Sequence, residues 1–199
     1  MNRAFAPAAE QNKDDILRAL RREVRSGDLV LELGAGTGQH VCHFARALAD
    51  VRWQPTELFG QLATIDAYAR DSECSNILPA LELDVCRQPW PVDTANVCYS
   101  ANTLHIISQP EVECLFEGCA KVLRDGGRLS VYGPFSIDGR PTSDSNARFD
   151  DMLRSQDPAS GVRDLTWLDQ LATALGFRHS RRVSMPVNNL LVSWDWQPA

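Results

Sequence analysis

The sequence predicts a doubly wound α/β fold, with a mostly parallel seven-stranded sheet, helices on both faces and an antiparallel strand pair at its C-terminal end. Three observations predict it. Short apolar runs alternate with segments of helical period through the first two thirds of the chain, the first apolar run ends in a glycine-rich turn, and the last two strand-like runs are separated only by Pro186-Val-Asn188. Alternating strands and helices favour a parallel sheet wrapped on both sides, whereas so short a connection permits only an antiparallel pair.

Taken in order, Asp14 to Val24 has helical period, with Ile16, Leu17, Leu20 and Val24 on one face and Asp14 or Asp15 as a cap. Leu29–Leu33 is a short apolar run ending in glycines, the pattern of a buried parallel strand. Gln39 to Leu48 is helical through Val41, Phe44, Ala45 and Leu48, Val51–Trp53 is a strand, and Gly60 to Arg70 a helix with Leu62, Ile65 and Ala69 inward. Ile77 to Leu83 is the next strand, with Pro79 at its edge or start, and Asn96–Ser100 the fourth. Ser108-Gln-Pro-Glu111 is a capping box that opens a helix to about Leu123, and Asp125-Gly-Gly127 turns the chain into strand Arg128–Gly133. A helix over 166–175 is expected to use Thr166 and Asp169 as its capping box and Gly176 as its stop. Strands His179–Met185 and Asn189–Trp196 finish the chain, with Leu190, Val192, Trp194 and Trp196 facing one way.

The stretch 134–164 departs from this rhythm. It carries Pro134, Gly139, Pro141, Pro158 and Gly161 among many polar residues, and so long an irregular segment in one domain is expected to be a cover over a site. With 199 residues, no internal repeat and no composition break, residues 1–199 are expected to form one domain around one core.

Charge and cysteines narrow the class. A net charge of −6, with no basic run beyond the helical face Arg18, Arg21, Arg22 and Arg25, disfavours nucleic acid as a partner. No apolar run reaches the ~20 residues of a membrane span, and the amino-terminal stretch lacks a leader's apolar segment, so a cytoplasmic location without membrane partner is expected. Cys42, Cys74, Cys86, Cys98, Cys114 and Cys119 form no C-x-x-C pair and read as reduced thiols. His40, Cys42 and His43 lack a second ligand pair at zinc spacing, so no metal is expected.

The densest chemical signal is Leu31-Glu-Leu-Gly-Ala-Gly-Thr-Gly-Gln39. A strand running through Gly34-x-Gly36-x-Gly38 into a helix brings backbone close to a ligand without side chains in the way. The dinucleotide fingerprint sets its third glycine one position later, where this chain has Gln39. The pattern therefore leans toward a nucleoside ligand without a pyrophosphate. Glu57, 21 residues past Gly36 and just beyond the second strand, suits the two ribose hydroxyls, and Asp84, after the third strand, suits an adenine amino group. Each falls at the carboxyl end of a parallel strand, where open α/β sheets bind ligands.

In order and spacing, Val30-Leu-Glu-Leu-Gly-Ala-Gly-Thr-Gly38, Glu57, Leu83-Asp84 and Leu123-Arg-Asp-Gly-Gly127 resemble class I S-adenosylmethionine-dependent methyltransferases. More narrowly, the chain resembles a methyltransferase-like family catalogued as domain of unknown function 938. The resemblance covers nearly the whole chain, through Ala8-Ala-Glu-Gln-Asn-Lys13, Gly36-Thr-Gly-Gln-His40, Trp53-Gln-Pro55, Asp84-Val85 with Trp90-Pro91, Asn102-Thr-Leu-His105, Tyr132-Gly-Pro-Phe135, Ser145-Asn146, Phe149-Asp150, Asp157-Pro158, Arg163-Asp164 and Asn188-Asn189. Departures from the family pattern fall at Thr56-Glu57-Leu58 and Thr103-Leu104.

The resemblance implies S-adenosylmethionine as cofactor and S-adenosylhomocysteine as product, held by Glu32, Gly34, Gly36, Gly38, Glu57, Asp84, Val85 and Asn102. It implies methyl transfer to a small-molecule acceptor, whose oxygen, sulfur or nitrogen atom it does not supply. Gly34 and Gly36 would let the methionine portion lie on backbone, and Glu32 would orient the loop or the cofactor ammonium. An Asn/Asp-Pro-Pro-Tyr stretch, frequent in enzymes that methylate base amino groups, is replaced here by Ser100-Ala-Asn-Thr-Leu-His105. His105 is the foremost acid–base candidate and Tyr132 a second, both at strand ends that face the cofactor. Around the acceptor we expect Glu10, Asn12, Asn146, Arg163 and Asn189, with the Arg163 guanidinium offering two parallel donors to an anion or else stapling the cover to the body. The competing readings are a nicotinamide oxidoreductase, which Gln39 and the chain length disfavour, and a non-catalytic cofactor-binding module that works through a protein partner.

Overall fold

The computed structural model describes residues 4–58 and 60–198. Met1–Arg3, at the head of the stretch read for a leader, lie outside the described residues, as do Phe59 and Ala199. The elements run α1 (Pro7–Leu20), β1 (Leu29–Leu33), α2 (Gln39–Ala47), β2 (Arg52–Glu57), α3 (Leu62–Ser72), β3 (Leu81–Glu82), β4 (Ala95–Ala101), α4 (Gln109–Val122) and β5 (Leu123–Gly133). There follow β6 (Phe135–Ile137), β7 (Arg140–Pro141), α5 (Asp144–Gln156), β8 (Arg163–Asp164), α6 (Leu165–Ala174), β9 (Phe177–Met185) and β10 (Asn189–Trp196).

Seven strands form one sheet in the order β3-β2-β1-β4-β5-β10-β9. The pairs β1/β2, β1/β4, β2/β3 and β4/β5 are parallel, and β10 runs antiparallel to both β5 and β9. The expected class is the one observed. Strand order reverses between β1 and β4, which opens a crevice at their carboxyl ends.

Period-two alternation divides the core between the two faces. On one side Leu31, Leu33, Cys98, Leu129, Val131, Val192 and Trp194 pack with Val112, Leu115, Phe116 and Cys119 of α4 and Leu165, Leu168 and Ala172 of α6. On the other, Val30, Val97, Tyr99, Tyr132 and Leu191 pack with Ile16, Ala19 and Leu20 of α1 and Val41, Phe44 and Ala45 of α2. Leu190, Val192, Trp194 and Trp196 of β10 share the first face, as their spacing predicts.

Four local expectations are corrected. Helix α1 begins at Pro7, so Asp14 and Asp15 lie inside it; its start has no side-chain cap and is held by Gln39, whose Oε1 accepts from the backbone N–H of Ala6 at 2.6 Å. The strand expected over Ile77–Leu83 shrinks to Leu81–Glu82 and an isolated bridge between Trp53 and Ile77. Pro79 has no N–H for the ladder, and its carbonyl accepts instead from the Gln54 side chain at 2.8 Å. The cap of α6 is Asp164, which accepts from the N–H groups of Thr166 and Trp167, so Thr166 and Asp169 make no capping box. The expected box Ser108/Glu111 at α4 is formed.

The fourth correction concerns the cysteines: Cys86 and Cys114 form a disulfide, while Cys42, Cys74, Cys98 and Cys119 are free. The loop after β3 folds back onto α4. Asp84 Oδ1 accepts from Cys86 N at 3.0 Å, and Trp90 donates to the Val85 carbonyl while its ring lies on Gly118, where a Cβ would fall 1.9 Å from it. Two thiols 28 residues apart are thereby brought together.

The segment 134–164 folds as β6, β7, α5 and β8, the three strands forming a small separate sheet in the order β7-β6-β8. It packs on the chain leaving β4: Gly161 N–H donates to the His105 carbonyl at 2.9 Å, and Ser160 Oγ to the Ile106 carbonyl at 2.6 Å. Asn146 of α5 donates to the Asn188 carbonyl in the β9–β10 turn at 3.0 Å. Val187 and Asn188 of that turn both have left-handed backbones, with φ of 59° and 58°. Among the described residues no helix is long and apolar enough to cross a membrane.

Candidate active site

The crevice is built from the exits of β1, β2 and β4. Gly34, Gly36 and Gly38 have φ of 74°, 57° and 85°, values that side chains rarely adopt. Their surroundings differ. A Cβ at Gly34 would fall 2.6 Å from Thr103 Oγ1 and one at Gly38 3.1 Å from the backbone of Ile65, whereas nothing lies within 4 Å of a Cβ at Gly36. Gly34 therefore seats the loop on the β4 exit, Gly38 seats it on α3, and Gly36 is the position open to a ligand.

Two carboxylates flank the loop in different states. Glu57 is engaged, its Oε2 accepting from Gly36 N–H and its Oε1 from Leu58 N–H, at 2.9 and 2.8 Å. Glu32 is 2% exposed and its Oε2 has no protein partner. Burial, with the Glu57 charge adding to it, pushes its pKa up to about 8, so the carboxyl holds its proton at pH 7. A buried carboxyl with an unmatched oxygen below an open glycine fits a cationic donor such as the ammonium of S-adenosylmethionine.

The other expected cofactor contacts lie around the same crevice. Leu83 N–H donates to the Glu57 carbonyl at 3.0 Å, which places Asp84 and Val85 beside the β2 exit. Asn102, with a left-handed φ of 57°, donates its N–H to the Tyr132 carbonyl at 2.9 Å, next to the Thr103 that touches Gly34.

The expected acceptor residues fall into separate groups. Tyr132 belongs to the α1 face; its hydroxyl accepts from Asn189 Nδ2 at 2.8 Å, and Asn12 also bonds it. Burial raises its pKa against those two bonds. Asn12 in turn pairs with His40 Nε2 at 2.7 Å, and Glu10 accepts from Gln39 Nε2. His105 lies apart from this group, 6% exposed, its ring edge-on to Phe149 at 5.3 Å between centroids. Burial, and secondarily the charge of Arg163, lowers its pKa to about 4, so the imidazole is neutral at pH 7.

Arg163 proves to be a staple. Its Nε donates to the Leu104 carbonyl at 2.9 Å, and its Nη2 donates to the carbonyls of Ala159, at 2.8 Å, and of Ile107. The Nε–Nη2 edge expected to hold an anion is thus spent on backbone, Nη1 alone is left over, and no carboxylate among the described residues takes part. Asn146 likewise fastens α5, donating to Thr142 Oγ1 at 2.8 Å and to Asn188. Gln39, which the sequence marks only as a departure from the dinucleotide fingerprint, gains a role in the structure. It stands where a dinucleotide site has glycine, and its amide instead ties the glycine loop to α1 by bonding Ala6, Thr37 and Glu10.

A family model described as "Protein of unknown function (DUF938)" matches residues 3–196. The chain belongs to the DUF938 family. Solved structures similar to this DUF938 chain include the mitomycin 7-O-methyltransferase MmcR, at 17% identity and a TM-score of 0.80 over 95% of this chain and 54% of that one. Human N-acetylserotonin methyltransferase in complex with SAM is similar at 18% identity and a TM-score of 0.79, over 96% and 53%. The chain thus spans about half the length of these two proteins. The YcgJ protein of Bacillus subtilis matches at 13% identity and a TM-score of 0.74, over 96% of this chain and 100% of that one. The fold of this DUF938 member is the class I methyltransferase fold.

Proposed function

We propose that the chain binds S-adenosylmethionine at the crevice between β1 and β4 and transfers its methyl group to an acidic hydroxyl of a small molecule. The carrying observation is Glu32, a fully buried carboxyl with an unmatched oxygen at the foot of the glycine loop. The bound cofactor supplies an already activated methyl group on a sulfonium. Gly36 offers it uncovered backbone and Glu32 a counter-charge, while Glu57, Asp84, Val85 and Asn102 are the groups for its nucleoside. The protein's remaining task is to align the acceptor and exclude water.

His105 takes the acceptor proton at a ring nitrogen. Because its pKa is about 4, it is free to accept a proton throughout the neutral range, and because it is a weak base it suits an acceptor whose hydroxyl is itself acidic. The O-methyltransferase among the similar structures favours oxygen over nitrogen as the accepting atom. The 134–164 segment, fastened to the His105–Ile107 backbone, is the cover that shields the reaction.

Calorimetry with S-adenosylhomocysteine in buffers of different ionisation heat tests the cofactor half. Since Glu32 holds a proton at pH 7, seating an ammonium beside it should release up to one proton on binding. Glu32→Gln should abolish that release. Absence of binding, or binding whose heat ignores the buffer, ends this reading. For the chemistry, methyl transfer to a panel of phenols should fall about a hundredfold or more in His105→Gln with cofactor affinity kept.

A further inference from the structure

A cavity of about 340 Å³ lies inside the 134–164 segment, between α5 and the small β7-β6-β8 sheet, with Gln109 of α4 and Trp167 of α6 closing it. Gly34, Gly36, Glu57, His105 and Tyr132 do not line it, so it is separate from the crevice described above. Its volume lies in the range of small-molecule sites.

A hydrogen-bond inventory of its walls is one-sided. Both carboxylates are satisfied from within the protein. Asp164 accepts at Oδ2 from Ser136 Oγ and Gly139 N–H, and at Oδ1 from the Thr166 and Trp167 N–H groups. Asp150 accepts at Oδ1 from Val162 N–H at 2.6 Å and at Oδ2 from Arg154 Nε at 2.9 Å. The donors are not used up. Among the described residues, neither Nη of Arg154, nor Nη1 of Arg163, nor the Trp167 indole N–H, nor the Gln109 amide has a partner. Arg163 is held by three carbonyls, whereas Arg154, about half exposed, is paired with Asp150 and lies beside Gly161. A Cβ at Gly161 would fall 2.6 Å from Arg154 Nη2, so the guanidinium lies against bare backbone.

We propose that this cavity is a second small-molecule site, which binds an organic anion through the guanidinium groups of Arg154 and Arg163, with the Trp167 ring against its apolar body. Two neighbouring guanidiniums with spare N–H groups suit a carboxylate or phosphate head group, since charge-assisted bonds to such oxygens are the strong ones. The site stands independently of the methyl-transfer reading, because nothing in its walls depends on a bound cofactor.

The test is a ¹⁵N-NMR titration of the cofactor-free protein with benzoate, phenyl phosphate and the neutral analogue benzyl alcohol. Saturable shifts are expected at Gly139, Gly161 and the Trp167 indole for one or both anions, and none for benzyl alcohol; the tighter anion identifies the head group. Arg154→Gln should raise the dissociation constant roughly tenfold or more, while Arg148→Gln, on the exposed side of α5, should leave it unchanged. If Arg154→Gln does not fold, Gln109→Leu reads the same wall. Failure of both anions, equal binding of benzyl alcohol, or an equal loss in Arg148→Gln overturns the proposal.

Discussion

The half of the molecule that holds the glycine loop and the half that holds the 134–164 segment treat their polar residues in opposite ways. Beside the loop, Glu32 and Tyr99, opposite each other in the β1/β4 ladder, each keep a buried polar atom without a protein partner. Within 134–164, no buried side-chain polar atom of the described residues is left unmatched: Arg163, Asp164 and Asn146 each bond two or more groups of the protein itself. Unmatched buried groups are costly unless something else satisfies them. Buried polar groups therefore point to a ligand in the first region and to architecture in the second, apart from the donors that face the 340 Å³ cavity.

Arg163→Leu tests the architectural half most severely. It leaves the carbonyls of Leu104, Ile107 and Ala159 without their donor, and should cost about 3 kcal/mol or more, seen as a lower urea midpoint. A variant as stable as the parent would dissolve the contrast between the halves.

Glu57→Ala comes next. It should weaken S-adenosylhomocysteine binding by about 1.5–3 kcal/mol, roughly one to two decades, in calorimetry. Because Glu57 also accepts from Gly36 and Leu58, a stability loss of about 1 kcal/mol should accompany it. A much larger loss of stability would move Glu57 into the architectural class.

The pH dependence of stability sharpens the comparison further. Glu32 has a folded pKa raised from 4.5 to about 8, so the folded state keeps a proton that the unfolded state gives up, and stability falls as pH rises between those values. His40 and His105 have folded values lowered from 6.5 to about 4, so their contribution is complete above 6.5 and is lost as pH falls toward 4. The cofactor-free protein should be most stable near neutrality, weakening by about 1 kcal/mol per pH unit on the alkaline side. Glu32→Gln should flatten that alkaline limb and steepen the acid one, since Glu32 opposes the histidines between pH 4.5 and 6.5, as melting curves from pH 5 to 9 would show. An unaltered alkaline limb would mean that Glu32 ionises freely.

The smallest effect belongs to the turn that fastens α5 to β10. Val187 is a β-branched residue at φ 59° and 79% exposed, so Val187→Gly should gain up to about 1 kcal/mol without touching either site. A loss of stability in thermal melts would show that the turn carries no strain.

Much of this was legible in the sequence, because the strands and the glycine loop are written in local patterns. β10 has the bounds Asn189–Trp196 that its pattern predicts, and spacing alone fixes the Ser108/Glu111 cap. What local pattern missed depends on partners far along the chain. The start of α1 rests on Gln39, the Asp164 cap rests on how β8 enters α6, and the Cys86–Cys114 bond rests on the Trp90 loop lying across α4. The site shows the same division. Gly36 and Glu57 stand together as their spacing predicts, whereas the destination of the Arg163 guanidinium could be found only once the backbone of 104–107 was in place.

The two ends of the large sheet also govern how the protein behaves in a crowd of its own copies. An unpaired edge strand is a template for a neighbouring chain. At one end stands β3, only two residues long. At the other, β9 carries Arg178, Arg181 and Arg182, with Arg181 paired to Glu23. A second copy approaching in register would set like charge against like. A two-residue strand at one edge and arginines along the other are both features that discourage growth of a sheet by strand addition.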